Sequence, residues 1–69
     1  MPLTMAQAGE TYTVKAIHGH SNMHKHLESL GLVPGSVVQM VSRTPSGLIL
    51  NVKESRIAVG YDIARRVLV

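Results

Sequence analysis

The chain has 69 residues, no cysteine, phenylalanine or tryptophan, and a formal net charge of +3 from seven Lys and Arg against four Asp and Glu. This length predicts a single domain over residues 1–69, whose small core leaves little room for a deep active site. The lack of cysteine excludes disulfides and thiolate metal sites, which fits a reducing cytoplasm.

No targeting or membrane segment is evident. The first ten residues, MPLTMAQAGE, contain neither a basic region nor an apolar stretch, so we expect no secretory signal. The longest apolar runs, such as 48–50 and 67–69, are far shorter than the ~20 residues of a membrane-spanning helix. We therefore expect a cytoplasmic protein with no direct membrane insertion.

The first predicted elements are a strand and a helix. Residues 10–17 (ETYTVKAI) are rich in Thr, Tyr, Val and Ile and predict a strand that ends before Gly19. Ser21 resembles a helix N-cap, and the apolar residues Met23, Leu27 and Leu30 then follow at helical spacing. This spacing predicts a helix at about 22–30, with Leu27 and Leu30 buried against the rest of the domain.

Four histidines, the only ones in the chain, fall between residues 18 and 26. Since successive helical residues lie about 100° apart, His24 and Glu28 share one exposed helix face, whereas His26 turns to the edge of the apolar stripe. A loop that folds back would bring His20 toward His24, with His18 as a spare ligand. This set predicts at most weak Fe²⁺ or Zn²⁺ binding, and the alternative is a polar loop and helix face without ligands.

Glycine and proline then turn the chain out of the helix. Gly31 fits the left-handed position that follows a helix, and Pro34 and Gly35 fit a turn. We assign all three a structural role.

The remaining sequence alternates like short strands. Residues 36–44 are rich in β-branched residues and predict a strand, and 45–47 (PSG) form a turn. In 48–53, Leu48, Leu50 and Val52 alternate with Ile49, Asn51 and Lys53, which predicts a half-buried strand. A short strand around 57–59, a helical turn at 61–64 and a final strand at 66–69 complete the chain. The pattern predicts a mainly β fold: a small, strongly curved barrel of about five strands, with one short α-helix inserted after the first strand.

Two stretches, LESLGLVPGSVVQMVSRTPSG and ESRIAVGYDIARRVLV, resemble the FeoA family of small ferrous iron transport proteins. The matching features are Leu30-Gly31, the following LVPG, the turn at 45–47, and Ala64 ahead of Leu68-Val69. The turn departs from the family pattern, since many relatives have Pro-Leu-Gly-x-Pro there. The resemblance implies an SH3-like barrel and a cytoplasmic partner role beside FeoB, a ferrous iron transporter with a G-protein domain.

Several other functional classes are disfavoured by composition. One Asp, three Glu and no phosphate-binding glycine loop do not indicate an enzyme. Two tyrosines cannot build an aromatic groove for polyproline or stacked bases, and the dispersed charges do not form a nucleic-acid stripe. We expect an accessory protein that requires no cofactor and binds no nucleic acid. The alternative is a small iron-carrying or iron-sensing protein that uses the histidine loop, and the sequence leaves the oligomeric state open.

Overall fold

The structure is a computed structural model and describes residues 1–19 and 21–69. In chain order its elements are a 3₁₀ helix at Leu3–Met5, β1 (Thr11–Thr13), β2 (Ala16–Ile17), α1 (Ser21–Ser29), β3 (Val37–Thr44), β4 (Gly47–Val52), β5 (Ser55–Gly60), α2 (Tyr61–Ala64) and β6 (Val67–Leu68).

The strands form two antiparallel sheets. One sheet has four strands in the order β1-β3-β4-β5, and the other pairs β2 with β6. The predicted mainly β fold with one short α-helix is therefore confirmed, and each predicted element after α1 lies within one or two residues of its observed position. The described residues contain six strands rather than about five, because the first predicted strand is divided.

The division occurs at Val14 and Lys15. The amide of Val14 donates to Ser36 O at 2.8 Å beside β3, whereas the amide of Lys15 donates to Leu68 O at 2.7 Å beside β6. The chain thus passes from one sheet to the other between two consecutive residues, Val14 and Lys15. A run of β-forming residues does not reveal this crossing, because local pattern does not identify the pairing partner. The helix consequently follows the second strand, not the first.

Helix α1 packs on the core through a narrow stripe. Leu27 is fully buried, while Met23 and Leu30 are only partly buried. The predicted burial is therefore confirmed for Leu27 and too strong for Leu30. The helix begins at Ser21, so Ser21 is its first residue rather than the predicted N-cap; sequence signals rarely resolve adjacent positions at a helix end.

The end of α1 explains why Leu30 is only half-buried. Gly31 has φ +88°, and its amide donates to Glu28 O at 2.9 Å. The amide of Leu32 donates to Leu27 O, also at 2.9 Å, which completes a Schellman motif. The reversal drives Leu32 into the core beside Leu27, and both side chains are fully buried.

A second turn follows at once. Gly35 has φ +93°, which favours glycine, and the amide of Ser36 donates to Val33 O at 2.9 Å across Pro34. The Ser36 hydroxyl also donates to Gly31 O at 2.8 Å. This second bond ties the two turns together ahead of β3.

The core lies between the two sheets and α1. In β4 the residues Leu48, Leu50 and Val52 are buried, whereas Ile49 and Asn51 between them are partly exposed, as their alternation predicts. Among the residues that the structure describes, fourteen hydrophobic ones are buried: Leu3, Ala6, Val14, Leu27, Leu32, Val38, Met40, Leu48, Leu50, Val52, Val59, Ala64, Val67 and Val69.

Candidate functional site: the polar surface around α1 and the outer sheet face

The exposed face of α1 carries two of the four predicted metal ligands, His24 and Glu28, together with Lys25. His24, Lys25 and Glu28 are all exposed there. Lys25, Glu28 and Ser29 line a shallow surface depression of about 390 Å³. A broad depression with charged walls is a better fit to a protein surface than to an enclosed small molecule.

The histidines occupy different elements. His18 follows β2, is exposed, and donates its backbone N–H to Arg66 O at 2.8 Å. His24 and His26 lie on α1, and both are exposed. His26, expected at the edge of the apolar stripe and therefore partly buried, is instead exposed, because the packed stripe consists of Met23, Leu27 and Leu30.

The predicted metal ligands are only partly described. Within residues 1–19 and 21–69, no three His, Cys, Asp or Glu side chains are grouped as metal ligands. His18, His24 and Glu28 alone therefore do not constitute a three-ligand group. His20 lies outside the described residues, so the full set with His20 stays a prediction.

Arg66 is a basic residue whose side chain is only partly exposed to solvent. It is partly buried, and its Nε is buried without a hydrogen-bond partner among the described residues. An unpaired buried donor costs free energy. Arg65 beside it is exposed. The two adjacent arginines therefore differ: Arg65 is solvated, whereas Arg66 is partly desolvated.

The outer face of the four-stranded sheet carries a polar ladder that the sequence did not predict. Gln39, Asn51 and Arg56 are directly opposite one another on β3, β4 and β5. Asn51 Nδ2 donates to Gln39 Oε1 at 3.2 Å, and Arg56 Nε lies 3.5 Å from Asn51 Oδ1. Cross-strand pairs of this kind stabilise a sheet and fix side-chain positions. Only strand register brings these residues together.

Two long side chains fasten the far end of β3. Arg43 Nη2 donates to Ala6 O at 2.7 Å, and the Tyr61 hydroxyl donates to Thr44 O at 2.7 Å. The first bond connects β3 to the residue after the 3₁₀ helix, and the second connects β3 to the first residue of α2.

The charged side chains remain available to a partner. Over the ranges 1–19 and 21–69, no ion pair forms between charged side chains. Six of the seven basic residues are exposed: Lys15, Lys25, Arg43, Lys53, Arg56 and Arg65. This surface suits a partner that supplies acidic groups.

Comparison with known proteins decides the family. A family model described as the FeoA domain matches residues 1–69. The chain belongs to the FeoA family. The resemblance carried by the Leu30-Gly31 region and the closing segment is confirmed, and the changed turn at 45–47 lies within the matched range.

Relatives of this FeoA-family chain are associated with ferrous iron. A protein of Methanocaldococcus jannaschii, named as a candidate Fe(2+) transport protein A, is 31% identical over 68 residues, covering 99% of this chain and 83% of the relative. A crystal structure of an iron uptake regulatory protein, FeoA, is 35% identical with a TM-score of 0.90, covering 97% of this chain and 91% of that one.

A third FeoA identifies the barrel type. The zinc complex of Stenotrophomonas maltophilia FeoA, described as an SH3 domain protein, is 27% identical with a TM-score of 0.82 and covers 99% of this chain and 87% of that one. The SH3-like barrel implied by the resemblance is therefore confirmed. Across the described residues, no helix has the length and apolar character needed to cross a membrane.

Proposed function

We propose that this FeoA-family protein is a cytoplasmic, non-enzymatic accessory protein of ferrous iron uptake that binds the cytoplasmic part of an FeoB-type transporter. The observation that carries the proposal is the match of the FeoA domain across residues 1–69, together with relatives named for iron transport and uptake. The described surface supports binding rather than catalysis, since its depression is shallow and its charged groups are exposed.

The exposed face of α1 is the proposed contact surface. Leu27 anchors the helix in the core, which holds Lys25 and Glu28 outward at the depression. Neither side chain is engaged in an ion pair within the described ranges, so docking need not break one. Both charges can therefore contact complementary groups on the transporter.

The test is co-purification with the matched FeoB-type transporter from native membranes of iron-limited cells. We expect the parent protein to be retained and to release at high salt, because salt screens contacts between exposed charges. Lys25→Glu should reduce retention. Lys15→Glu, which makes the same charge change at an exposed position outside α1, should not.

The outcomes separate the two parts of the proposal. No retention of folded parent protein would contradict transporter binding. If the parent is retained, and Lys25→Glu and Lys15→Glu alter retention equally, the contact lies on another surface.

A second candidate function is metal binding by the histidine segment. The observation that favours it is the zinc complex of the 27% identical FeoA from Stenotrophomonas maltophilia. In this chain the ligands would be His20, His24 and Glu28, with His18 as a spare. A metal carrier would bind Fe²⁺ tightly in the absence of any partner, whereas an accessory protein need not bind it at all.

A further inference from the structure

Strand β5 forms an open edge of the four-stranded sheet. The order β1-β3-β4-β5 places β1 and β5 at the two edges. β1 has three residues, whereas β5 has six, of which only Arg56 is charged. An edge strand of this length with few charged residues can pair with a strand of another chain. Proteins usually prevent such pairing with short edge strands, charged side chains or a covering segment.

The hairpin geometry shows which backbone groups face outward. Lys53 and Glu54 both have positive φ, as in the two-residue turns that join tight hairpins. The turn is closed by the pair Val52–Ser55, after which hydrogen-bonded and non-hydrogen-bonded pairs alternate along the ladder. The outward-facing groups therefore belong to alternate residues of β5: Arg56, Ala58 and Gly60. Among the described residues no backbone group outside this hairpin bonds to Arg56 or Ala58. Gly60 is also the N-cap of α2, and the C=O of an N-cap residue serves the first bond of its helix, so Gly60 offers the edge only its N–H.

A charge pattern lies along the same edge. Ile57 and Val59 pack against the core. Because side chains alternate between the two faces of a strand, Arg56 and Gly60 lie on the outer face of the sheet. A Cβ built on Gly60 would lie 2.8 Å from Asp62 Oδ1. The Asp62 carboxylate therefore stands where a side chain of residue 60 would be. Neither Arg56 nor Asp62 forms an ion pair within the described part of the chain.

We propose that this β5 edge pairs, antiparallel, with the β5 edge of a second copy of the chain, with Ala58 opposite Ala58. In this register Arg56 of each copy lies opposite Gly60 of the other. Ala58 contributes its N–H and its C=O, Arg56 contributes its C=O, and Gly60 contributes its N–H, because the Gly60 C=O serves α2. The two-fold arrangement then contains four inter-chain hydrogen bonds.

Charge complementarity selects this register. Residues in a hydrogen-bonded antiparallel pair have Cα atoms about 5.5 Å apart, within reach of an arginine side chain. Arg56 therefore meets the carboxylate of Asp62 that covers Gly60 of the second copy. The two-fold axis repeats this ion pair. A register with Arg56 opposite Arg56 would instead oppose like charges.

The neighbouring tyrosine leaves the edge accessible. The Tyr61 hydroxyl donates to Thr44 O at 2.7 Å, and Thr44 is on β3, on the other side of β4 from β5. The Tyr61 side chain thus extends across the sheet and away from its open edge. Since one strand pair buries little surface, we expect a weak, reversible dimer that dissociates as salt screens the ion pairs.

The first test uses charge reversal and sedimentation equilibrium of the isolated protein. The parent should shift from the 7.5 kDa monomer toward twice that mass as its concentration rises. Arg56→Glu alone and Asp62→Arg alone should each weaken association, because each places like charges opposite one another. An equal mixture of the two variants should regain it, because both cross-strand pairs are then complementary.

The second test addresses the backbone. Ala58→Pro removes an outward-facing N–H that the β4–β5 ladder does not use, and proline is tolerated at such edge positions. We expect this variant to be folded by far-UV circular dichroism and to remain monomeric. Ala58→Ser keeps the N–H and should associate like the parent.

Two results would overturn the proposal. One is a parent protein that stays monomeric at every concentration. The other is a dimer that persists in Ala58→Pro and responds to neither charge reversal, which would place the interface elsewhere. Neither measurement involves the transporter, so the outcome is independent of the proposed function.

Discussion

Gly47 and Val59 approach so closely that no side chain fits between them. A Cβ built on Gly47 would lie 2.1 Å from the carbonyl oxygen of Val59, and Gly47 is buried at the start of β4. The obstacle is backbone, which cannot move aside as a flexible side chain can. The first pair of the β4–β5 ladder, Gly47 opposite Gly60, therefore depends on glycine at position 47.

Gly47→Ala should destabilise the fold strongly. Overpacking in a fixed environment costs about 1–3 kcal/mol or more. In a domain of this size each kcal/mol lowers Tm by about 4–8 °C. Thermal unfolding checks the prediction. Gly60→Ala is the matched control, since the one close contact of its Cβ would be the movable Asp62 carboxylate, at 2.8 Å, and the nearest backbone atom, Ser46 O, lies at 3.9 Å. Equal Tm losses in the two variants would contradict this explanation.

Leu27→Ala should cost more stability than Leu30→Ala. Leu27 is fully buried, and truncation of a buried leucine costs about 2–5 kcal/mol. Leu30 is only partly buried, so its truncation should cost about 1 kcal/mol. Urea unfolding of both variants and the parent measures the difference. A larger loss for Leu30→Ala would show that α1 packs through another face.

Gly31→Ala should destabilise more than Gly35→Ala. Both glycines have positive φ, +88° and +93°, so alanine at either position costs about 1–2 kcal/mol. At Gly31 the new Cβ would also lie 3.2 Å from Val52 Cγ1, whereas nothing lies within 4 Å at Gly35. The difference in unfolding free energy isolates that contact. Indistinguishable values would mean that Val52 adjusts without cost.

Metal binding to the histidine segment should be weak at neutral pH. A titration with Zn²⁺ or Fe²⁺ at pH ~7.5 is the measurement, with His20→Ala/His24→Ala as the comparison. Histidine binds a metal ion only in its deprotonated form, so affinity should fall as the pH is lowered. Tight parent binding that the double variant loses would favour the metal-carrier function. Tight binding that survives would identify other ligands.

The sequence alone determined the class of the fold and most of its elements. The spacing of Met23, Leu27 and Leu30 predicted α1, and the alternation from Leu48 to Val52 predicted β4, because helices and strands impose different apolar periods. The resemblance of the Leu30-Gly31 region and the closing segment correctly predicted the FeoA family and its SH3-like barrel.

Only the tertiary structure decided which strands pair and which side chains meet. The crossing at Val14 and Lys15, the ladder from Gln39 to Arg56 and the close approach of Gly47 to Val59 join residues far apart in the chain. Local pattern reports how a segment alternates between core and solvent, but pairing and register depend on which segments lie side by side. The open edge of β5 is a property of that arrangement, and no local feature of its sequence indicates it.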